Sequence, residues 1–283
     1  MKILYFTLSF LFISLIIQNN EQLDNKFNSI KEFQGKATYI SKSKMELGNW
    51  GAKLSEVQKK QIAARMKNRL EKTYTLTFNN QESFFKEDDK IDAISGATDS
   101  WGKYFSPGDQ YKNLLTDTQV QSQEFYGKEF LVKDKLQPIE WKLGDDTKMI
   151  GNYVCFKATA MIPSDELTWY AFSWDKLNNR EKKEKDDSTT EDIIAFTAIE
   201  AWYSIQIPVH HGPQEFWGLP GLILEVSFDN TTFLCSELVL TTSGKVTIEA
   251  PSKGKVVNKI AYQEIISSKM KEFRDMRSGR SGR

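Results

Sequence analysis

The stretch GLPGLILEVSFDNTTFLCSELVL, from Gly218 to Leu240, decides the fold class. Apolar residues alternate with other residues from Leu222 to Phe228, which is the period of a half-buried β-strand. Asp229 and Asn230 then turn the chain into TTFLCSELVL, a second strand-like run. The stretch therefore predicts a β-hairpin.

A Pro-Gly turn precedes this hairpin. In Leu219-Pro220-Gly221-Leu222, proline stands at the second turn position and glycine at the third. Proline presets φ near −65°, and glycine accepts the positive φ that a type II turn needs at its third position. The sequence therefore predicts a positive φ at Gly221.

Further strand-like runs flank the hairpin on the N-terminal side. They include GKATYISKSKMEL, TYTLTF, SFFKE, residues 129–162, TWYAFSW and IIAFTAIEAWYSIQI, whereas residues 87–110 resemble a long loop. Two helices are expected: one near residues 54–72, with a Ser55/Gln58 capping box and a stripe of Ile62, Met66 and Leu70, and one around Tyr262–Phe273. The pattern predicts a mainly β fold, a curved antiparallel sheet or open barrel with two helices; α+β is the nearest alternative.

The N-terminus predicts export. Lys2 precedes an apolar run from Ile3 to Ile17, which is short for a membrane span and typical of a signal peptide. We assign residues 1–18 to the signal, 19–34 to a polar lead-in and 35–276 to one β-rich domain. A charged loop is expected at 176–192 and a disordered tail at 277–283. The mature chain should have no transmembrane span and should lie in the periplasm or on the periplasmic face of the outer membrane, with secretion as the alternative.

Charge argues against nucleic-acid binding. Lys+Arg and Asp+Glu both number 38, so the formal net charge is zero. The composition gives no sign of a basic patch.

Two cysteines leave two readings open. Cys155 and Cys235 could form a disulfide in an oxidising compartment, or they could be two buried free thiols.

The two histidines are weak candidates for chemistry. His210 and His211 are adjacent, so their side chains diverge in a strand or in a helix, and only Glu215 is near them in sequence. They are expected to cap a turn or to face solvent. We expect no metal and no cofactor, and we identify no catalytic residue.

The same region resembles a known family. GPQEFWGLPGLILEV is similar to the signature of the GLPGLI family of exported Gram-negative proteins, and AWYSIQIP and IEWKLGDDTKMIGNYVCFKAT extend the resemblance upstream. The resemblance implies an exported β-rich protein and supplies no established catalytic residues. The residues of its binding or structural motif are Gly212, Pro213, Phe216, Gly218, Leu219, Pro220, Gly221, Leu222 and Ile223.

The leading hypothesis is an exported envelope protein with a non-catalytic binding or accessory role. Its partner would be an envelope protein or an apolar ligand, with possible association with outer-membrane components. One alternative is a hydrolase or metal-dependent enzyme that uses His210, His211 and Glu215. Another alternative is a structural component of the envelope.

Overall fold

The computed structural model describes residues 33–44, 51–88, 107–185, 194–241, 246–277 and 279. The predicted signal peptide, most of the lead-in and most of the tail lie outside these residues. No helix within the described part of the chain is long and apolar enough to span a membrane.

The described residues form one open sheet of twelve strands. The strands are β1 (Gly35–Ser43), β2 (Glu71–Phe78), β3 (Glu82–Glu87), β4 (Gln110–Asn113), β5 (Thr118–Phe125), β6 (Lys128–Lys135), β7 (Lys142–Ile150), β8 (Tyr153–Pro163), β9 (Phe196–Ser204), β10 (Leu222–Phe228), β11 (Thr231–Leu240) and β12 (Lys255–Val257). Their order is β12-β6-β5-β4-β3-β2-β1-β11-β10-β9-β8-β7. Only β12 pairs in parallel, with β6, so the mainly β, antiparallel fold is confirmed.

Four helices accompany the sheet in the described residues. They are α1 (Glu56–Leu70), α2 (Ser164–Leu167), α3 (Trp174–Lys185) and α4 (Lys259–Arg277). Ser55 and Gln58 form the expected capping box at the start of α1, and α4 is the expected C-terminal helix.

The hairpin from Leu222 to Leu240 is confirmed, because β10 pairs with β11 across Asp229 and Asn230. Its alternation is not strict. A β-bulge lies between Ile223 and Glu225 in the pairing with β9, and Ile223 and Leu224 are both buried. An extra residue in one strand shifts which side chains face inward, which the simple period cannot show.

The charged stretch predicted as a loop at 176–192 forms helix α3 up to Lys185; residues 186–193 lie outside the described part. Lys, Arg and Glu are good helix formers, and Leu177 gives the helix one buried contact. Glu181 accepts a hydrogen bond from Arg274 of α4 at 2.6 Å. The loop prediction is therefore wrong for 176–185, because the charged residues lie along a helix.

TWYAFSW, predicted as a strand, instead links α2 to α3. Trp169 within it joins a second apolar cluster, beneath α4, where it packs edge-on against Tyr262. The main apolar core draws side chains from β1–β3 and β8–β11. Strands β4 and β5 were not predicted, and they carry the residues on which the candidate site depends.

Candidate functional site

The GLPG loop, defined here as residues 205–221, is a compact connection between β9 and β10. Its backbone is bonded to itself and to the start of β10: Gly218 N donates to His210 O at 2.9 Å, and Leu222 N donates to Ile207 O at 2.9 Å. Ile223 N donates to His211 O at 3.0 Å. These bonds fix the loop against the first residues of β10.

Gly221 does not have the positive φ that the type II turn required, so that prediction is wrong. A Cβ at this position would lie 2.1 Å from Ser204 O. Glycine is needed because the backbone of β9 approaches too closely for a side chain. The positive φ belongs instead to Gly218, at +91°.

The motif residues face mostly inward. Phe216, Leu219, Leu222 and Ile223 are at most 1% exposed, Gly212 and Pro213 are buried, and Gly218 and Pro220 are exposed. The Phe216 ring packs on Phe228 with centroids 5.1 Å apart. A Cβ on Gly212 would lie 2.8 Å from the Ile223 side chain. The motif therefore packs the loop into the core.

Lys112 of β4 is the main support of the loop. It is fully buried, and its Nζ donates to the carbonyls of Gly212 at 2.8 Å, Gln214 at 2.5 Å and Phe216 at 3.1 Å. Burial lowers the pKa of Lys112 to about 7, while the negative charge of Glu215 acts in the opposite direction. One ammonium group thus satisfies three backbone carbonyls of one turn.

Glu215 connects the loop to two other elements. Its Oε1 accepts from Gln110 Nε2 at 3.0 Å and from Trp169 Nε1 at 3.2 Å. Its Oε2 lies 3.8 Å from Lys259 Nζ at the start of α4, an ion pair whose side chains are 6% and 12% exposed. Lys259 also lies 4.0 Å from Glu166 Oε2.

A row of buried amides lies beside these groups. Gln119, Gln121 and Gln123 alternate along β5 and therefore share one face. Gln110 Nε2 donates to Gln121 Oε1 at 2.8 Å. Strand pairing sets Gln110 opposite Gln121 and Lys112 opposite Gln119. We call Gln110, Lys112, Gln119, Gln121, Gln123 and Glu215 the buried polar cluster.

Several atoms of this cluster have no hydrogen-bond partner among the described residues: Gln110 Oε1, Glu215 Oε2 and the Nε2 atoms of Gln119, Gln121 and Gln123. Glu215 Oε2 has the positive charge of Lys259 beside it. The other four are amide atoms buried in the sheet face without a hydrogen bond to any described residue.

The two histidines differ in environment. His210 is exposed, and its Nδ1 donates to Leu219 O at 2.8 Å, as expected of a turn-capping imidazole. His211 is fully buried, and neither ring nitrogen has a hydrogen-bond partner among the described residues. The expectation that both histidines cap the turn or face solvent is wrong for His211.

Electrostatics keep His211 neutral. Burial, the larger cause, and the positive charge of Lys112 lower the pKa of His211 to about 3. Glu215 has other partners, so the structure gives His210, His211 and Glu215 separate surroundings. The described part of the chain holds no group of three or more His, Cys, Asp or Glu side chains that could bind a metal ion.

Both cysteines are free thiols in the structure, with Cys155 buried and Cys235 partly buried. Burial raises the pKa of Cys155 to about 11 and that of Cys235 to about 12. A high pKa keeps a thiol protonated and unreactive. Neither thiol has the character of a catalytic nucleophile.

Sequence reasoning missed Lys112, Gln110 and the glutamines of β5. The available signal was the alternation of glutamine in TQVQSQEF, which matches a strand period. Alternating polar residues ordinarily indicate a solvent-facing side, and here that side is buried. Lys112, Glu215 and His210 all form hydrogen bonds with protein groups. The polar side chains of the site therefore hold the GLPG loop in place.

One segment of the chain matches a known protein family. The model of a family described as a protein of unknown function, Porph_ging, matches residues 141–225, which run from the start of β7 through the GLPG loop into β10. Lys112 and the glutamines lie outside this match. No curated protein matches the chain.

Two solved structures of PNGF-II resemble the fold distantly. The structure in space group C2 has a TM-score of 0.46 and 12% identity, covering 83% of this chain and 32% of that one. The structure in space group P21 has a TM-score of 0.43 and 13% identity, covering 83% and 33%. The chain therefore spans about a third of the length of these proteins.

Proposed function

We propose that this chain is an exported envelope protein with a non-catalytic binding or accessory role, in the periplasm or on the periplasmic face of the outer membrane. The observation that carries the proposal is the internal bonding of the GLPG loop. Lys112 donates to three loop carbonyls, and Glu215 accepts from Gln110 and Trp169. The groups that could supply chemistry thus stabilise the fold.

Export is supported by Lys2 and the apolar run that follows it. A contact surface is supported by Met161 and Phe196, which are 58% and 54% exposed. Met161 pairs with Ala198, two residues after Phe196, so both side chains lie on one face of β8 and β9. Contiguous exposed apolar side chains are the feature that marks a binding surface, and we take this pair as its centre.

The test is a pull-down from envelope extract with protein recovered from the periplasmic fraction. The double variant Met161→Ser, Phe196→Ser should lose the partner while keeping the wild-type melting temperature. The matched control, Val239→Ser with Val256→Ser, removes apolar side chains that are 54% and 62% exposed elsewhere on the sheet and should retain it. Equal loss in both variants would contradict the proposed surface.

The alternative hypothesis, a hydrolase or metal-dependent enzyme, has its own test. A thermal-shift screen with divalent metals should show no stabilisation that depends on Glu215 or His211. A metal-induced shift that Glu215→Gln abolishes would overturn the non-catalytic assignment.

A further inference from the structure

Helix α1 and its flanks concentrate positive charge that the neutral total of the chain conceals. The segment 51–72 has seven basic residues and two acidic ones: Lys53, Lys59, Lys60, Arg65, Lys67, Arg69 and Lys72 against Glu56 and Glu71. Its formal charge is therefore +5, and the rest of the neutral chain has −5. The inference from composition that the chain has no basic patch is wrong for this segment.

Four cations of this segment are exposed: Lys53, Lys60, Arg65 and Lys67. Ile62, Met66 and Leu70 form the inner stripe of the helix toward β1 and β2, and even these are only partly buried. No side chain described in α1 is buried, and Lys60 and Arg65 are exposed. The helix therefore buries little of its surface against the sheet, and no described element covers its outer face.

Three of these cations have a carboxylate neighbour. Lys59 pairs with Glu56 at 2.8 Å, and Lys72 pairs with Glu87 at 2.7 Å. Lys67 lies 4.0 Å from Glu71, with its side chain 68% exposed. Lys53, Lys60 and Arg65 have no ion pair with any residue that the structure describes. Exposed pairs contribute little energy, so even the paired cations can turn to an external anion.

We infer that the outer face of α1 docks on a bilayer surface bearing anionic headgroups. A helix of 15 residues is about 22 Å long. Its exposed side chains include Lys60, Arg65 and Lys67 against one carboxylate, Glu56, and this excess of positive charge suits a surface of lipid phosphates. Val57, 65% exposed in the first turn, adds an apolar side chain that can enter the interface. The helix has no aromatic residue on which a base could stack, which disfavours single-stranded nucleic acid.

This inference rests on the proposed function in one respect, because export determines which membrane the protein reaches. Binding itself can be measured with purified protein and vesicles, so failure of the docking surface and failure of export give different results.

The experiment is vesicle flotation of the full chain with phosphatidylcholine alone and with phosphatidylcholine mixed with phosphatidylglycerol. Binding should appear only with the anionic lipid and should weaken as salt screens the charges. The triple variant Lys53→Gln, Lys60→Gln, Arg65→Gln should bind about 100-fold more weakly, because each cation near an anionic surface contributes about 5-fold.

The matched control is Lys128→Gln, Lys133→Gln, Lys135→Gln, which removes the same charge from exposed positions on β6. It should bind nearly as well as the wild type. Circular dichroism melts should show both variants folded, because the substituted sites are exposed. Binding to neutral vesicles, no binding to anionic vesicles, equal loss in the two variants, or binding to a nucleic acid in place of vesicles would each overturn the inference.

Discussion

Replacing Lys112 with methionine tests the role of the buried ammonium, because methionine keeps most of the side-chain volume and removes the charge. Two effects oppose each other in this variant. Three carbonyls lose their hydrogen-bond donor, and each one that stays buried destabilises the fold by roughly 1–3 kcal/mol. The folded state no longer holds a buried positive charge, which stabilises the variant wherever wild-type Lys112 is protonated.

The pH dependence separates the two effects. The folded pKa of Lys112 is lowered from 10.5 to about 7, so between these values the unfolded chain binds more protons than the folded chain. Stability therefore rises with pH in this window, and the contribution is lost as pH falls through 7. Integration from pH 7 to pH 9 gives a wild-type gain of about 2 kcal/mol, which Lys112→Met cannot show.

The assay is guanidinium unfolding of both proteins across this range. The free energy of unfolding of the wild type minus that of the variant should grow by about 2 kcal/mol between pH 7 and pH 9, since the other titrating groups cancel in the difference. Lys133→Met, an exposed control, should give a flat difference near zero. A flat or falling difference for Lys112→Met would refute the assignment of a buried, charge-penalised lysine.

Three other predictions follow from the site. His211 has a folded pKa of about 3 against 6.5 in the unfolded chain, so its contribution to stability is lost as pH falls from 6.5 toward 3. In denaturant melts, His211→Phe should therefore reduce the acid destabilisation at pH 5 by about 2 kcal/mol. An unchanged acid profile would contradict a buried neutral imidazole. Gly221→Ala and Gly221→Asn should destabilise the fold similarly, by about 1–3 kcal/mol or more, because any Cβ would clash with Ser204 O. At Gly218, where φ is +91°, asparagine should destabilise less than valine. If asparagine were clearly better tolerated than alanine at Gly221, the type II turn would be the correct interpretation. Two thiols should titrate in denatured, non-reduced protein and react slowly at pH 8 when folded, since burial raises both cysteine pKa values; finding none after denaturation would establish a Cys155–Cys235 disulfide.

The sequence predicted the elements whose pattern is local. The β10–β11 hairpin, the capping box of α1 and the C-terminal helix all arise from neighbouring residues, and each is present. Lys176 to Lys185 was wrongly predicted as loop because high charge resembles a solvated segment, although the same residues favour a helix.

The site could not be predicted, because it is assembled from distant segments. Lys112 and Gly212 are 100 residues apart, and Gln110 and Glu215 are 105 apart. The need for glycine at position 221 was anticipated, but its cause is the approach of Ser204 across the sheet, which no turn rule contains. Burial of a glutamine row likewise depends on what packs over it.

Amide hydrogen exchange of the GLPG loop tests the central claim most directly, namely that Lys112 holds the loop closed as part of the fold. The informative amides are those of Gly218 and Ile223, bonded to His210 O and His211 O, and the reference amides are those of β1 and β2. In the wild type the amides of Gly218 and Ile223 should exchange as slowly as the reference amides. In Lys112→Met these two amides should exchange faster, while the reference amides change only with global stability. Fast loop exchange in the wild type, or loop exchange that follows the reference amides in the variant, would contradict the account.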